Sequence, residues 1–437
     1  MQNSQLVSVL AISSLLLIVS GCDNTIRNNT VSTVTDMITP SPQTISNQVP
    51  LTEVKTLTST PEGIAEVVTA NNQFAIAMYQ QINGQPDQAD KNVFFSPYSL
   101  STAMAMLYAA AEGETKAQIQ KTFHYPAPAI LNPNSATLYN QFNKPSPDYK
   151  LATVNDLWMQ QGLTPTKSYI DTVQRYYSGQ VTALDFEGSP DPARQTINKK
   201  IAEKTKQMIP ELLPKGSIKS NTAVVLTNAI YFKGDWTMPF TAERTSAQPF
   251  YNAIGRASTV QMMQQQSYFS YYENKHIQVV QLPYKGDDLS MLVVLPKLNH
   301  KLAMQQLAKS LSATKIKQWR SGLVRQEVDL QLPKFKLDAR YQMKTLLADM
   351  GMPKAFDNGA EFNLYADGPP IKLDEVYHQA VVTFDEKGTE AAAATAAVGM
   401  YTGMSYPVEF KADHPFMFVI KDNKTDAILF LGQVNKP

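Results

Sequence analysis

The sequence predicts an α+β fold, and three observations carry that prediction. Apolar residues with a helical period gather in the first half of the chain, β-branched and aromatic runs of strand length gather in the second, and the two do not alternate. Segregated patterns of this kind pack as layers rather than as repeated βαβ units. Of the 437 residues 43% are hydrophobic, enough for a large core, and a formal net charge of +1 with scattered Lys and Arg excludes a nucleic-acid footprint.

The chain opens on a segment that reads as a targeting signal. Val7 to Val19 is an apolar stretch too short to span a bilayer, and it closes on Val19-Ser20-Gly21-Cys22, which resembles the bacterial lipoprotein cleavage box. The resemblance implies a signal peptide over 1–21 and a diacylglycerol group on the sulfur of Cys22, although Met1 to Leu10 lacks the usual basic residues. Cys22 is the only cysteine, so it has no disulfide partner within the chain. Residues 22–63, rich in Ser, Thr and Pro, read as a flexible tether, and 64–437 as one globular domain. The expected location is the cell envelope, lipid-anchored to a membrane and facing the periplasm or the exterior.

Within the domain, Ile64 to Ile82 has helical periodicity and ends at Asn83-Gly84. Asn92 to Phe95 is a short buried strand that Ser96-Pro97 turns into an apolar helix, Leu100 to Ala111, and a further helix ends near Phe123. Asp191 to Leu213 reads as mostly helical and Ala223 to Phe232 as a buried strand. Later strand runs are Tyr268 to Tyr272, Ile277 to Pro283, Leu289 to Pro296, Glu327 to Phe335, Val408 to Phe410, Phe416 to Ile420 and Ala427 to Leu431. Helical Leu302 to Trp319 and Tyr341 to Met350 interrupt them. His124, His276, His300 and His414 are too dispersed to suggest a metal site, no cofactor is implied, and Met262, Met263, Met350 and Met352 read as core filler.

One stretch fits neither pattern. After the apolar run Ala380 to Phe384 come Asp385-Glu386-Lys387-Gly388-Thr389-Glu390-Ala391-Ala392-Ala393-Ala394-Thr395-Ala396-Ala397-Val398-Gly399, without a single large hydrophobic side chain before Val398. Alanine favours helix, so a helix or a low-complexity linker is one reading. A strand that enters a narrow slot is the other, since small residues meet no steric resistance there.

Collinear motifs identify the family. Asn92-Val93-Phe94-Phe95-Ser96-Pro97-Tyr98-Ser99, Gly113-Glu114-Thr115, Thr227-Asn228-Ala229-Ile230-Tyr231-Phe232-Lys233-Gly234-Asp235-Trp236, Val260-Gln261-Met262-Met263, Leu332-Pro333-Lys334-Phe335, Val376-Tyr377-His378-Gln379-Ala380 and Ala412-Asp413-His414-Pro415-Phe416 together resemble the serpins, over essentially all of 64–437. Ala110, Lys200 and Asp426 depart from the family pattern, where Gly, Trp and Gly are common.

The resemblance implies helices around a large central mixed sheet, two further sheets and an exposed reactive-centre loop at about 386–407. It implies an irreversible suicide-substrate inhibitor of serine proteases, not an enzyme, that traps a covalent acyl complex by strand insertion. The hinge would be Glu386, Gly388, Thr389, Glu390, Ala391, Ala392, Ala393, Ala394 and Thr395. Family spacing places the cut between Thr402 and Gly403, with Tyr401, Met400 and Met404 as alternatives. These residues suit elastase- or chymotrypsin-like pockets better than trypsin-like ones. Ser96, Ser99, Asn228 and His378 would form the shutter, a buried polar cluster where the sheet parts, and Trp236 would sit at the breach where insertion begins. A Ser96–His378 hydrolase pair lacks a nucleophile elbow and an acidic partner. Expected partners are the target protease and, through Cys22, a membrane, with the protein a monomer. A non-inhibitory surface binding protein with the same fold is the alternative.

Overall fold

A parallel seam in the middle of a sheet organises the fold, and the other elements frame it. The structure is a computed structural model and describes residues 58–86, 88, 91–298, 302–365, 371–388 and 406–437. Contacts divide the chain into 1–41 and 42–437, and every described residue belongs to the second unit. The proposed signal peptide, Cys22 and the hinge and scissile residues from Thr389 to Met404 lie outside the described residues. No described helix is long and apolar enough to cross a membrane.

The first half is helical, as expected. In order come α1 (Pro61–Asn83), β1 (Val93–Phe95), α2 (Pro97–Tyr108), α3 (Gly113–Phe123), α4 (Pro128–Phe142), β2 (Tyr149–Gln160), α5 (Lys167–Tyr177), β3 (Gln180–Leu184) and α6 (Pro190–Lys204). Helix α1 starts before Ile64 because the Thr60 side chain accepts from Gly63 N and caps it, with Pro61 in the first turn. Ser96 does the same for α2, accepting from Ser99 N ahead of Pro97. The helix expected to reach Leu213 stops at Lys204, because Lys206 and Gln207 take positive φ values of 53° and 65°.

The second half supplies β4 (Val224–Gly234), β5 (Ser246–Tyr251), β6 (Ala257–Glu273), β7 (Ile277–Pro283), β8 (Leu289–Pro296), α7 (Ala303–Ser310), α8 (Ala313–Ser321), β9 (Val324–Pro333), β10 (Phe335–Gln342), α9 (Lys344–Asp349), β11 (Glu375–Phe384), β12 (Val408–Lys411), β13 (Phe416–Asp422) and β14 (Ile428–Val434). Two expectations fail locally. The helix placed over 302–319 is broken at Leu311, and Ser312 caps a new one. Tyr341 belongs to strand β10, paired with His378, so only the end of the expected 341–350 helix forms.

Strands assemble into two hydrogen-bonded sheets. The five-stranded sheet has the order β10-β11-β4-β2-β3, and a nine-stranded sheet runs β1-β14-β13-β8-β7-β6-β9-β12 with β5 beside β6. The two further sheets expected from the resemblance are therefore continuous with each other. The physical reason is the 17-residue β6, whose last residues pair β7 while its middle pairs β9. The chain crosses from one sheet to the other at Lys334, between β9 and β10.

In the five-stranded sheet β11 and β4 pair in parallel, Glu375 to Val382 against Val225 to Phe232, whereas β10–β11 and β2–β4 are antiparallel. A parallel ladder is slightly the weaker of the two kinds. This β4–β11 seam is the feature that positions the site. Met262, Met263 and Met352 are fully buried, as core filler should be.

Candidate functional site

Two constellations lie along the seam, one across its middle and one at its end. The middle one is a polar row. Register places Asn155 of β2 opposite Asn228 of β4, Asn228 beside His378 of β11, and His378 opposite Tyr341 of β10. Side chains in register share a face, so these four point toward the start of α2. Asn228 Nδ2 donates to Ser99 Oγ at 2.6 Å, to Ser99 O at 3.0 Å and to Asn155 Oδ1, and its Oδ1 accepts from His378 Nδ1. Ser96, Ser99, Asn228 and His378 are all 0% exposed.

The hydrogen bonds settle what His378 and Ser96 do. Ser96 N donates to His378 Nε2 at 3.2 Å, so the imidazole proton sits on Nδ1 and points at Asn228. Burial pulls the His378 pKa down to about 3 against the Asn228 hydrogen bond, which keeps the ring neutral. The Ser96 hydroxyl donates to Leu429 O at 2.6 Å and accepts from Ser99 N. Imidazole and hydroxyl therefore do not form a nucleophile pair. The structure brings Ser96, Ser99, Asn228 and His378 together, with Asn155 and Tyr341, which sequence reasoning did not single out. The signal was an Asn in the middle of each of two buried strands, a residue that strands disfavour unless its amide is paired.

At the end of the seam the chain turns. Asp385 N donates to Gly388 O at 2.9 Å, Gly388 N to Asp385 O at 3.2 Å, and Lys387 N to the Asp385 carboxylate at 3.0 Å. The turn is docked on the residues after β4. Trp236 N donates to Lys387 O at 2.8 Å, Phe240 N to Glu386 O at 2.6 Å, and Trp236 Nε1 to Asp385 O at 3.1 Å. Trp236 is 3% exposed and stacks on Tyr284 with centroids 4.5 Å apart. Burial works against charge on Glu386, yet hydrogen bonds from Lys334 Nζ at 2.8 Å and Thr245 Oγ1 at 2.8 Å hold its carboxyl below the ordinary range.

Gly388 is the pivot of this arrangement. Its φ is +142°, and a Cβ there would lie 2.2 Å from the Gly234 carbonyl oxygen. Gly388 bridges both Asp235, just past β4, and Asp385, just past β11, in antiparallel fashion. It thus sits between the ends of the two central strands. Of the predicted hinge, Glu386 and Gly388 lie beside Trp236, and Tyr284, Thr245 and Lys334 are partners that sequence reasoning did not find.

Two departures from the family pattern have structural partners. Asp426 takes φ +62°, a left-handed position suited to Gly, and pairs with Arg320 and with Lys421 at 3.1 Å. Lys200 lies 4.7 Å over the Trp158 ring and pairs with Asp156.

Comparison with known proteins agrees with this architecture. The pattern of the serpin family, serine protease inhibitors, matches residues 69–437. An uncharacterized serpin-like protein of Methanosarcina mazei is 40% identical over 378 residues, covering 85% of this chain and 88% of its own. The leukocyte elastase inhibitor of Xenopus laevis is 38% identical over 375 residues, 84% of this chain and 99% of its own. Among solved structures, uncleaved ovalbumin superposes with a TM-score of 0.78 at 27% identity, covering 85% of this chain and 100% of its own. The fold and the family match place the protein in the class of serine protease inhibitors, with a parallel seam in its five-stranded sheet. The chain belongs to the serpin family.

Proposed function

We propose that the protein is an irreversible suicide-substrate inhibitor of serine proteases. A target cleaves the loop at about 386–407, is held as an acyl-enzyme, and is carried away as the segment from Gly388 onward enters the sheet between β4 and β11. The observation that carries this reading is the position of Gly388, bridged to the ends of both strands as the first residue of an intervening strand would be. Because β4 and β11 are parallel, a strand that follows β11 through a tight turn runs antiparallel to both. Insertion would exchange one parallel ladder for two antiparallel ones, each hydrogen bond contributing about 0.5–1.5 kcal/mol net.

The cut falls between Thr402 and Gly403, with Tyr401, Met400 and Met404 as neighbouring candidates, and the targets are elastase- or chymotrypsin-like. The name of the Xenopus relative, an elastase inhibitor, favours the same class. Cys22 carries a lipid that tethers the domain to a membrane at the cell envelope, and Cys22→Ser would then lose detergent-phase partitioning.

Incubation with elastase, chymotrypsin, subtilisin and trypsin tests the reading. SDS-resistant complexes with the first two, and a released C-terminal peptide starting near Gly403, are expected. Thr389→Arg, which would bury an unpaired charge at a cost of about 3–5 kcal/mol, should be cleaved without forming complex. Cleavage of the wild-type chain by every protease without complex would leave the surface binding protein as the better reading.

A further inference from the structure

Helix α6 and the segment that follows it cover one face of the five-stranded sheet, and they form a single body. Buried Asn198 of α6 accepts from Leu212 N at 3.1 Å and Leu213 N at 2.8 Å and donates to Leu213 O at 2.8 Å. Arg194 adds a hydrogen bond to Leu213 O at 3.1 Å and an ion pair with Glu211. This cover spans the seam, since Ile197, Ile201 and Leu213 share one apolar cluster with Trp158 of β2, Ala229 of β4 and Val381 of β11.

Its two ends are held differently. On the β2 side the carboxylate of Asp156, 0% exposed, faces Lys200 Nζ at 3.5 Å and Lys204 Nζ at 3.4 Å, and Lys200 also lies over the Trp158 ring. On the β10 side the polar contact is Arg340 Nη1 to Glu211 O at 3.3 Å, exposed to water. A buried carboxylate that loses its cations is left uncompensated, so the first attachment is the costlier to break.

We propose that Asp156, Lys200 and Lys204 form an ionic latch that fixes the cover to β2 and sets the rate at which the β4–β11 seam parts. The inference rests on the strand-insertion reading above. An added strand moves β11 about 4.8 Å from β4, and the cover cannot keep both attachments across that displacement. With the latch closed, the attachments that yield are the packing on β11, the Tyr377–Ser217 hydrogen bond and the Arg340 contact. With the latch neutralised, either end can release, and the seam opens sooner.

The test uses a synthetic peptide of residues 388–398 offered to the full chain, with incorporation followed on native gels and by the rise in Tm. Lys204→Gln is expected to speed incorporation about threefold and Asp156→Asn about tenfold. Leu307→Ala, a core truncation in α7 away from this face, should lower stability without changing that rate. If Asp156→Asn does not fold, Lys204→Gln carries the comparison alone. Wild-type rates in the latch variants, an acceleration equal to that of Leu307→Ala, or no incorporation in any chain would overturn the latch. The expected order of rates without SDS-resistant complexes from any variant would keep the latch and remove the inhibitor reading.

Discussion

The middle and the end of the β4–β11 seam are built on opposite principles. Across the middle, the side chains of Asn155, Asn228, His378, Ser96 and Ser99 close the strands together with hydrogen bonds in a site sealed from water. At the end, backbone groups hold a glycine turn between strand ends, and the Glu386 carboxylate reaches lysine and threonine near the surface. A buried polar row is costly to disturb because every partner that loses a bond is left unpaired. A docked turn is cheap to disturb because water can replace each bond. The seam therefore has a lock in its middle and a loose end at its margin.

The largest expected effect falls on the lock. Asn228→Ala leaves Ser99, Asn155 and His378 short of a partner in a dry site, and a stability loss of about 3 kcal/mol is expected, with a lowered midpoint in denaturant titration. An unchanged midpoint would mean the row contributes no net stability.

The lock should also respond to acid. Because the folded pKa of His378 is depressed, the unfolded chain takes up a proton that the folded one refuses. The sign follows: the term is absent above the unfolded pKa of about 6.5 and destabilises progressively as pH falls toward about 3, by up to about 1.4 kcal/mol per pH unit. Denaturant titrations from pH 7 to pH 4, compared with His378→Gln, read this out. Parallel profiles for the two proteins would assign the acid sensitivity elsewhere.

The smallest effect on global stability should come from the loose end. Gly388→Val places a side chain against the Gly234 carbonyl and demands a φ that β-branched residues do not adopt, so the turn should undock at a cost of about 1–2 kcal/mol. Trp236, which loses its Asp385 and Lys387 contacts, supplies the readout in a shifted fluorescence maximum, while the global midpoint moves less than in Asn228→Ala. A larger loss of midpoint than Asn228→Ala would erase the distinction between the two regions.

Much of this was legible beforehand because local chemistry dictated it. Ser96-Pro97 announced a strand turning into a helix, and the family resemblance of the surrounding motifs implied a polar cluster of Ser96, Ser99, Asn228 and His378. What stayed hidden was non-local. Tyr341 carried the periodicity of a helix, yet pairing with β11 drew it into β10, an outcome that depends on a partner strand 37 residues away. Asp156 and Lys200 are separated by more than 40 residues in the chain, and only the packing of α6 over β2 makes them a pair.

By itself, then, the sequence determined the α+β class and the serpin family, because each rests on pattern within short stretches and their order along the chain. Tertiary structure alone decided that β4 and β11 pair in parallel, that Gly388 lies between their ends, and that α6 is pinned to one side of the seam. Strand direction, register and charge pairing are set by contacts between distant segments, and nothing in a local stretch of side chains specifies them.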